Sequence, residues 1–224
     1  KKGLVTDGSV GRAYINIGNQ RKLVGWYQAW LDQSTPFGRI GDYRISTDQP
    51  TAIWKPENSQ KFRMTKEQRA EIDELRRQAE VKSAEKYSQA AQRSQSIWEQ
   101  CEEVQKHAYL EKKQVLSYGL RKDKHDNLVI PLKDKQGSIV GLQFIAPDGT
   151  KRFLTGSKKS GSFFLLGREI FKTSDSLNYA EGYATAASIY ADRSQPVVVA
   201  FDAYNLVKVA EVMYQYFPRH KHVF

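Results

Sequence analysis

One short run of the chain places a possible catalytic group where a strand would end and a helix begin: Ala180-Glu181-Gly182-Tyr183-Ala184-Thr185. The stretch Leu177-Asn178-Tyr179-Ala180 before it reads as a strand, and Tyr183 to Asp192 reads as a helix. An acid at such a junction stands where ligands bind in open α/β sheets, at the carboxyl edge of a parallel strand. Gly182 lets the backbone turn sharply between the two elements. A carboxylate there can ligate Mg²⁺ or take a proton from a nearby hydroxyl, which makes Glu181 the candidate catalytic and metal-binding residue. An acid at a helix start also stabilises the helix dipole with no further role, so the position alone leaves both readings open.

The elements around this run must position it. After Pro196 comes the apolar run Val197-Val198-Val199-Ala200-Phe201, then a helical stretch from Asn205 to Tyr216, then Lys221-His222-Val223-Phe224 as the start of a third strand. Continuous apolar strands alternating with helices predict a parallel sheet covered on both faces. Upstream, residues 109–176 read as strands and turns. Leu128 to Leu132 and Ile139 to Ile145 flank a turn at Lys135-Gln136-Gly137, Pro147-Asp148-Gly149 turns again, and Lys158-Lys159 forms a basic loop before Ser162 to Gly167. Residues 61–108 hold no Pro or Gly and carry only a sparse apolar stripe, which predicts a long solvated helix or helix pair from Thr65 to about residue 108. Thr65 and Gln68 suit a capping box at its start. Residues 1–60 predict a small antiparallel unit with strands around Arg12–Ile17, Gly25–Trp30, Phe37–Arg44 and Ile53-Trp54. The fold class expected is α+β: a β-rich module (1–60), a charged helical linker (61–108), a mixed basic subdomain (109–176) and a partial parallel α/β fold (177–224).

Composition narrows the function classes. The net charge is +10, and the four segments 1–60, 61–113, 114–176 and 177–224 carry 8, 12, 11 and 4 basic against 5, 10, 6 and 4 acidic groups. The excess peaks just ahead of a neutral C-terminal segment, and a phosphate backbone is the commonest partner for such a surface. No apolar run approaches the roughly 20 residues of a membrane span. Cys101 is the single cysteine, which excludes an internal disulfide and a cysteine-built zinc module and fits a cytoplasmic setting. His107, His125, His220 and His222 lack metal-ligand spacing. Lys1-Lys2-Gly3 is not followed by the apolar stretch of a secretory signal, and the missing initiator Met suggests a fragment or a processed start.

The run Tyr179 to Ala186, followed by Val197 to Leu206, resembles the toprim domain of plasmid and phage DNA primases. Ala108 to Lys113 with Gly119-Leu120-Arg121 resembles the entry to the primase RNA-polymerase domain. Asn127 to Leu132, Gly141 to Ile145, Asp148 to Leu154 and Gly161 to Gly167 are similar to its basic subdomain. At the front, Gly25-Trp26-Tyr27 and Phe37 to Arg44 resemble the N-terminal region of conjugation-type primases. The pairing of a primase-like module with a toprim-like run selects primase over other toprim enzymes. The resemblance implies that Glu181 is a metal-site carboxylate and that the enzyme uses Mg²⁺. It implies that Arg121, Lys122, Lys151, Arg152, Lys158 and Lys159 hold template or triphosphate, with Lys151 and Arg152 foremost. It implies that Trp26, Tyr27, Tyr43 and Arg44 contact single-stranded DNA, although Trp26 and Tyr43 equally suit a sheet core. Asn205 and Leu206 match the family's loop after the second strand, and Asp202 departs from it.

The partners implied are a single-stranded DNA template, nucleoside triphosphates and a replicative helicase, with no membrane. Toprim enzymes carry a further Asp-x-Asp at the end of the third strand, which these residues do not include. A chain cut within that domain is expected to make no primers alone. Three other readings stay open: a single-stranded DNA-binding accessory module without catalysis, a toprim nuclease or topoisomerase, and a structural or interaction protein built on the charged helix.

Overall fold

The computed structural model describes residues 5–6, 9–17, 19–30, 37–42, 52–54 and 66–224. The chain divides into two units, Lys1–Glu74 and Leu75–Phe224.

In the first unit β1 (Gly11–Ile17), β2 (Gln20–Trp30), β3 (Phe37–Asp42) and β4 (Ala52–Trp54) form an antiparallel sheet in that order. The small antiparallel unit expected from period-two alternation is therefore present. Trp26 pairs opposite Gly41, and a β-carbon on Gly41 would lie 2.1 Å from the indole. Only a glycine leaves the ring that space. Residues 43 and 44, expected to continue the third strand, lie outside the described residues.

The helix α1 spans Lys66–Glu99 and stops short of residue 108. Beyond it β5 (Glu102–Glu103) pairs with β6 (Arg121–Lys122), setting Glu102 opposite Lys122 and Glu103 opposite Arg121. Opposite charges across a ladder favour that pairing. Packing supplies a second reason for the break. Cys101 is buried with Val129, Leu142 and Phe144, whereas Val104 is buried with Leu128 and Ile130. On one helix, residues three apart share a face, so these two could not reach different cores.

The short α2 (Ala108–Lys113) is capped by His107, whose Nδ1 accepts from the Tyr109 amide at 3.1 Å. Then β7 (Leu128–Lys133), β8 (Ile139–Ile145) and β9 (Lys151–Phe153) complete a five-stranded antiparallel sheet in the order β5-β6-β7-β8-β9. A second sheet follows, made of β10 (Phe164–Leu166), β11 (Ser176–Ala180), β12 (Val197–Val199) and β13 (Lys221–Val223). Its order is β10-β12-β11-β13; β11 is parallel to both neighbours, and β10 is antiparallel to β12. Helices α3 (Tyr183–Arg193) and α4 (Ala203–Tyr216) cover opposite faces. Alternation assigns Ala180, Val197 and Val199 to the α3 side, and Leu177, Tyr179 and Val198 to the α4 side.

The predicted three-strand parallel arrangement is present, and the strand expected at 162–167 joins it as the antiparallel edge β10, a pairing that the sequence did not announce. It arises because Phe163 exchanges two backbone hydrogen bonds with Lys133, at 2.8 and 3.0 Å, as the chain crosses between sheets. One core is shared by both, with Leu128, Ile130 and Leu132 packed with Tyr183, Ala187 and Val199. Tyr183 locks the junction: its hydroxyl donates to Leu116 O at 2.9 Å and accepts from Tyr118 N at 2.7 Å. Burial pushes this phenol's pKa well above its ordinary value, so it stays a donor.

Candidate active site

The parallel strands β11 and β12 present their carboxyl ends side by side, joined beyond the ladder by Ala200 N donating to Ala180 O at 2.9 Å. Glu181 follows the first strand and Asp202 follows the second. Glu181 is exposed, and among the described residues it has no hydrogen bond or ion pair. Gly182 is the N-cap of α3 in extended backbone (φ −133°), with no side chain to satisfy the first amides of the helix. Those amides and the helix dipole favour an anion there.

A cleft of about 320 Å³ opens against Gly182, Ala184 and Thr185, and its lining includes Lys112, Lys113 and Lys151. A β-carbon on Gly182 would come into contact with Lys151 Nζ at 3.5 Å. A longer side chain would therefore crowd the ammonium. Tyr109, Asp148 and Gly149 complete the cleft. Gly149 needs its missing side chain because it turns with φ +95°. The Asp148 carboxylate accepts from Thr150 N at 2.7 Å, which ties it to the turn. Lys112 and Lys113 were not singled out as site residues from sequence. They close α2 five and six residues after its cap, and only the packing of α2 brings them to the end of β11.

Lys151 and Arg152 are neighbours in β9 and so point to opposite faces. Lys151 faces Gly182. Arg152 lies over the Phe144 ring, 5.3 Å from its centroid, and lines a separate cleft with Cys101, Asp123 and His125. Sequence adjacency had joined two cations that the pleat separates. Arg121 is engaged elsewhere: its guanidinium donates to Trp98 O at 2.8 Å and stacks 4.7 Å from the Trp98 ring centroid. Lys122 pairs with Asp126 at 3.6 Å.

The end of β12 is built differently. Asp202 caps α4, accepting from Asn205 N at 2.8 Å, and also bonds the ammonium of Lys159. Lys159 is thus a partner of Asp202 rather than an unpaired phosphate ligand, whereas Lys158 is exposed. Asn205 is buried and fully used: Nδ2 donates to Ser162 O (2.9 Å) and Ala200 O (2.8 Å), and Oδ1 accepts from Gly161 N (2.7 Å). Phe201 holds a left-handed conformation (φ 71°) that a side chain with a β-carbon rarely adopts. Its ring is set edge-on against Phe153 at 6.1 Å.

In the N-terminal sheet Trp26 is only 2% exposed, so it is a core residue of that sheet and not a surface on which a base could stack. Arg39 lies over both Trp26 (5.7 Å) and Trp30 (5.9 Å) and donates from Nε to Gln28 Oε1 at 2.6 Å. Tyr27 is half-buried, and its hydroxyl accepts from Val5 N at 3.1 Å. Tyr43 and Arg44 lie outside the described residues.

Mg²⁺ prefers near-octahedral oxygen coordination. Among the described residues no three His, Cys, Asp or Glu side chains come together. Glu181 is one carboxylate, and Asp202 is already held by Lys159 and an amide. These residues do not by themselves complete a Mg²⁺ site. Among the described residues no helix is long and apolar enough to cross a membrane.

No protein-family model matches the chain. Two curated proteins of Escherichia coli, each named DNA primase TraC, are 30% identical to it over 229 and 226 residues, which is 96% of this chain in both cases. The chain spans only 15% and 20% of their lengths. Among solved structures, the RNA polymerase domain of Mycobacterium tuberculosis primase DnaG is 19% identical over 46% of this chain and 40% of its own, with a TM-score of 0.28. The same domain in complex with double-stranded DNA gives 20% identity over 50% and 41%, with a TM-score of 0.30. The resemblance to plasmid-type primases read from the sequence thus extends to curated homologues over nearly the whole chain.

Proposed function

We propose that this chain carries the triphosphate-binding cleft and one acidic corner of a DNA primase centre. The intact protein would join nucleotides on a single-stranded DNA template. Residues 109–176 would be the basic subdomain, 177–224 part of a toprim domain, 61–108 a helical linker and 1–60 a DNA-contacting module. The observation that carries this reading is the exposed Glu181 at the carboxyl edge of a parallel strand, beside a cleft walled by three lysines.

Primer synthesis requires a 3′-hydroxyl oxygen to attack an α-phosphorus while the bond to the bridging oxygen breaks and pyrophosphate leaves. Catalysis of such a step rests on positioning and on neutralising charge that develops on phosphate oxygens. Lys112, Lys113 and Lys151 would hold the triphosphate, and the uncapped start of α3 would add amide donors. Glu181 would receive the proton of the attacking hydroxyl or serve as one ligand of an ion. When bound, Mg²⁺ supplies further charge neutralisation, and its remaining carboxylates would come from residues other than those described.

The two faces of β9 provide the test. In this chain Lys151→Ala should weaken binding of a labelled nucleoside triphosphate by about tenfold or more, and Arg152→Ala should leave it unchanged. Equal effects would remove the cleft from the proposal. In a full-length protein carrying this segment, Glu181→Gln should abolish new oligonucleotides on a single-stranded template without altering template binding. Shortened template in place of new oligomers would mean a nuclease. The 224-residue chain alone should yield no primers.

A further inference from the structure

We propose that a second pocket, between the 133–137 turn and the C-terminal end of α4, docks an acidic peptide of a partner protein through a bulky apolar residue at its end. The pocket holds about 260 Å³ and shares no lining residue with the cleft beside Glu181. Its apolar part includes Phe163, Phe171, Met213 and Phe217. Its rim carries Lys133, Lys135, Arg168 and Lys172. The one acid in the lining, Asp134, turns one carboxylate oxygen into its own turn, Oδ1 accepting from Gln136 N (3.0 Å) and Ser138 N (2.9 Å).

The lining thus sets four cations against one carboxylate. Lys135 leans on Tyr216, bonding its hydroxyl and lying 4.7 Å from a ring centroid. Among the described residues no carboxylate pairs with Lys133, Arg168 or Lys172. Burial and then the charge of Arg168 both lower the pKa of Lys133, the signature of two cations close together in a partly dry place. A carboxylate brought between them relieves both terms. An apolar anchor in a pocket with a charged rim is also the usual anatomy of a binding hot spot.

Size and ring geometry favour a peptide over a nucleotide. The volume falls just below the roughly 300–1,000 Å³ of small-molecule sites, and suits one aromatic or branched side chain. Base recognition in single strands needs an aromatic face to stack on. The Phe171 ring is already stacked on His220 (4.9 Å, 10°) and met edge-on by Phe217 (4.6 Å, 85°). Recognition of acidic motifs by clusters of basic side chains is a known mode of peptide binding.

Fluorescence anisotropy on the 224-residue chain tests the proposal, using a short labelled peptide of alternating Asp and Gly that ends in Phe with a free carboxylate. Saturable binding is expected, about tenfold or more weaker when the last residue is Ser. A comparable loss is expected for the Arg168→Glu, Lys172→Glu double variant, both positions being exposed. Circular dichroism would show the fold of that variant intact. Equal binding of the Ser-ended peptide would reduce the effect to attraction by net positive charge and overturn the proposal, as would an unaffected variant. Displacement of the peptide by an oligothymidylate that itself loses binding in the double variant would assign the pocket to nucleic acid, and would also overturn it.

Discussion

Two adjacent parallel strands, β11 and β12, each run into a carboxylate, yet the two ends are built for different purposes. After β11, Glu181 is exposed and the next residue is a glycine that caps nothing. After β12, Asp202 caps α4 and holds Lys159, while Asn205 binds the loop at 161–162 to the strand end through three hydrogen bonds. The second end is a fastening and the first is an opening. A carboxylate whose lone pairs are taken by its own fold stabilises structure, whereas one facing solvent beside lysines that form no ion pair among the described residues remains available to a ligand.

Substitutions at the two ends should separate these roles. The largest effect should come from Asn205→Ala, which strands a buried amide and two carbonyls; a loss of about 2–4 kcal/mol follows, measured as a lower urea midpoint with an unchanged slope. If Asn205→Ala cost no more than a surface substitution, the fastening would not be there. Asp202→Ala should cost about 1 kcal/mol, the usual value for an N-cap. Lys159→Ala should cost less than about 1 kcal/mol because that pair is partly solvated, at 43% and 25% exposure, and should soften as salt rises. Glu181→Ala should change stability by no more than about 0.5 kcal/mol. A destabilisation at Glu181 equal to that at Asp202 would erase the contrast between the two ends.

Much of the fold was readable without coordinates because its signals are local. The period-two alternation of residues 12–17 marks the first strand of the small sheet, and the apolar runs at 128–132 and 197–199, short and bounded by turn signals, read as buried strands. The acid-glycine junction at 181–182 placed the candidate carboxylate at a strand end for the same reason. The end of α1 was less visible, since nothing between Glu99 and Glu102 breaks a helix by type. It is decided by Cys101 and Val104 entering different cores.

What the chain's order alone determined was therefore the kind of each element and the position of Glu181 between two of them. Only the tertiary structure decided which cations belong with it. Lys151 and Arg152 are neighbours in sequence and divided by the pleat, whereas Lys112 and Lys113 lie far away in sequence and share the cleft with Gly182. It also buries Trp26 in its sheet and sets Lys159 beside Asp202. The physical reason is that strand and helix periodicities act over a few residues. Exposure, pairing and the meeting of charges are set by contacts between segments tens of residues apart.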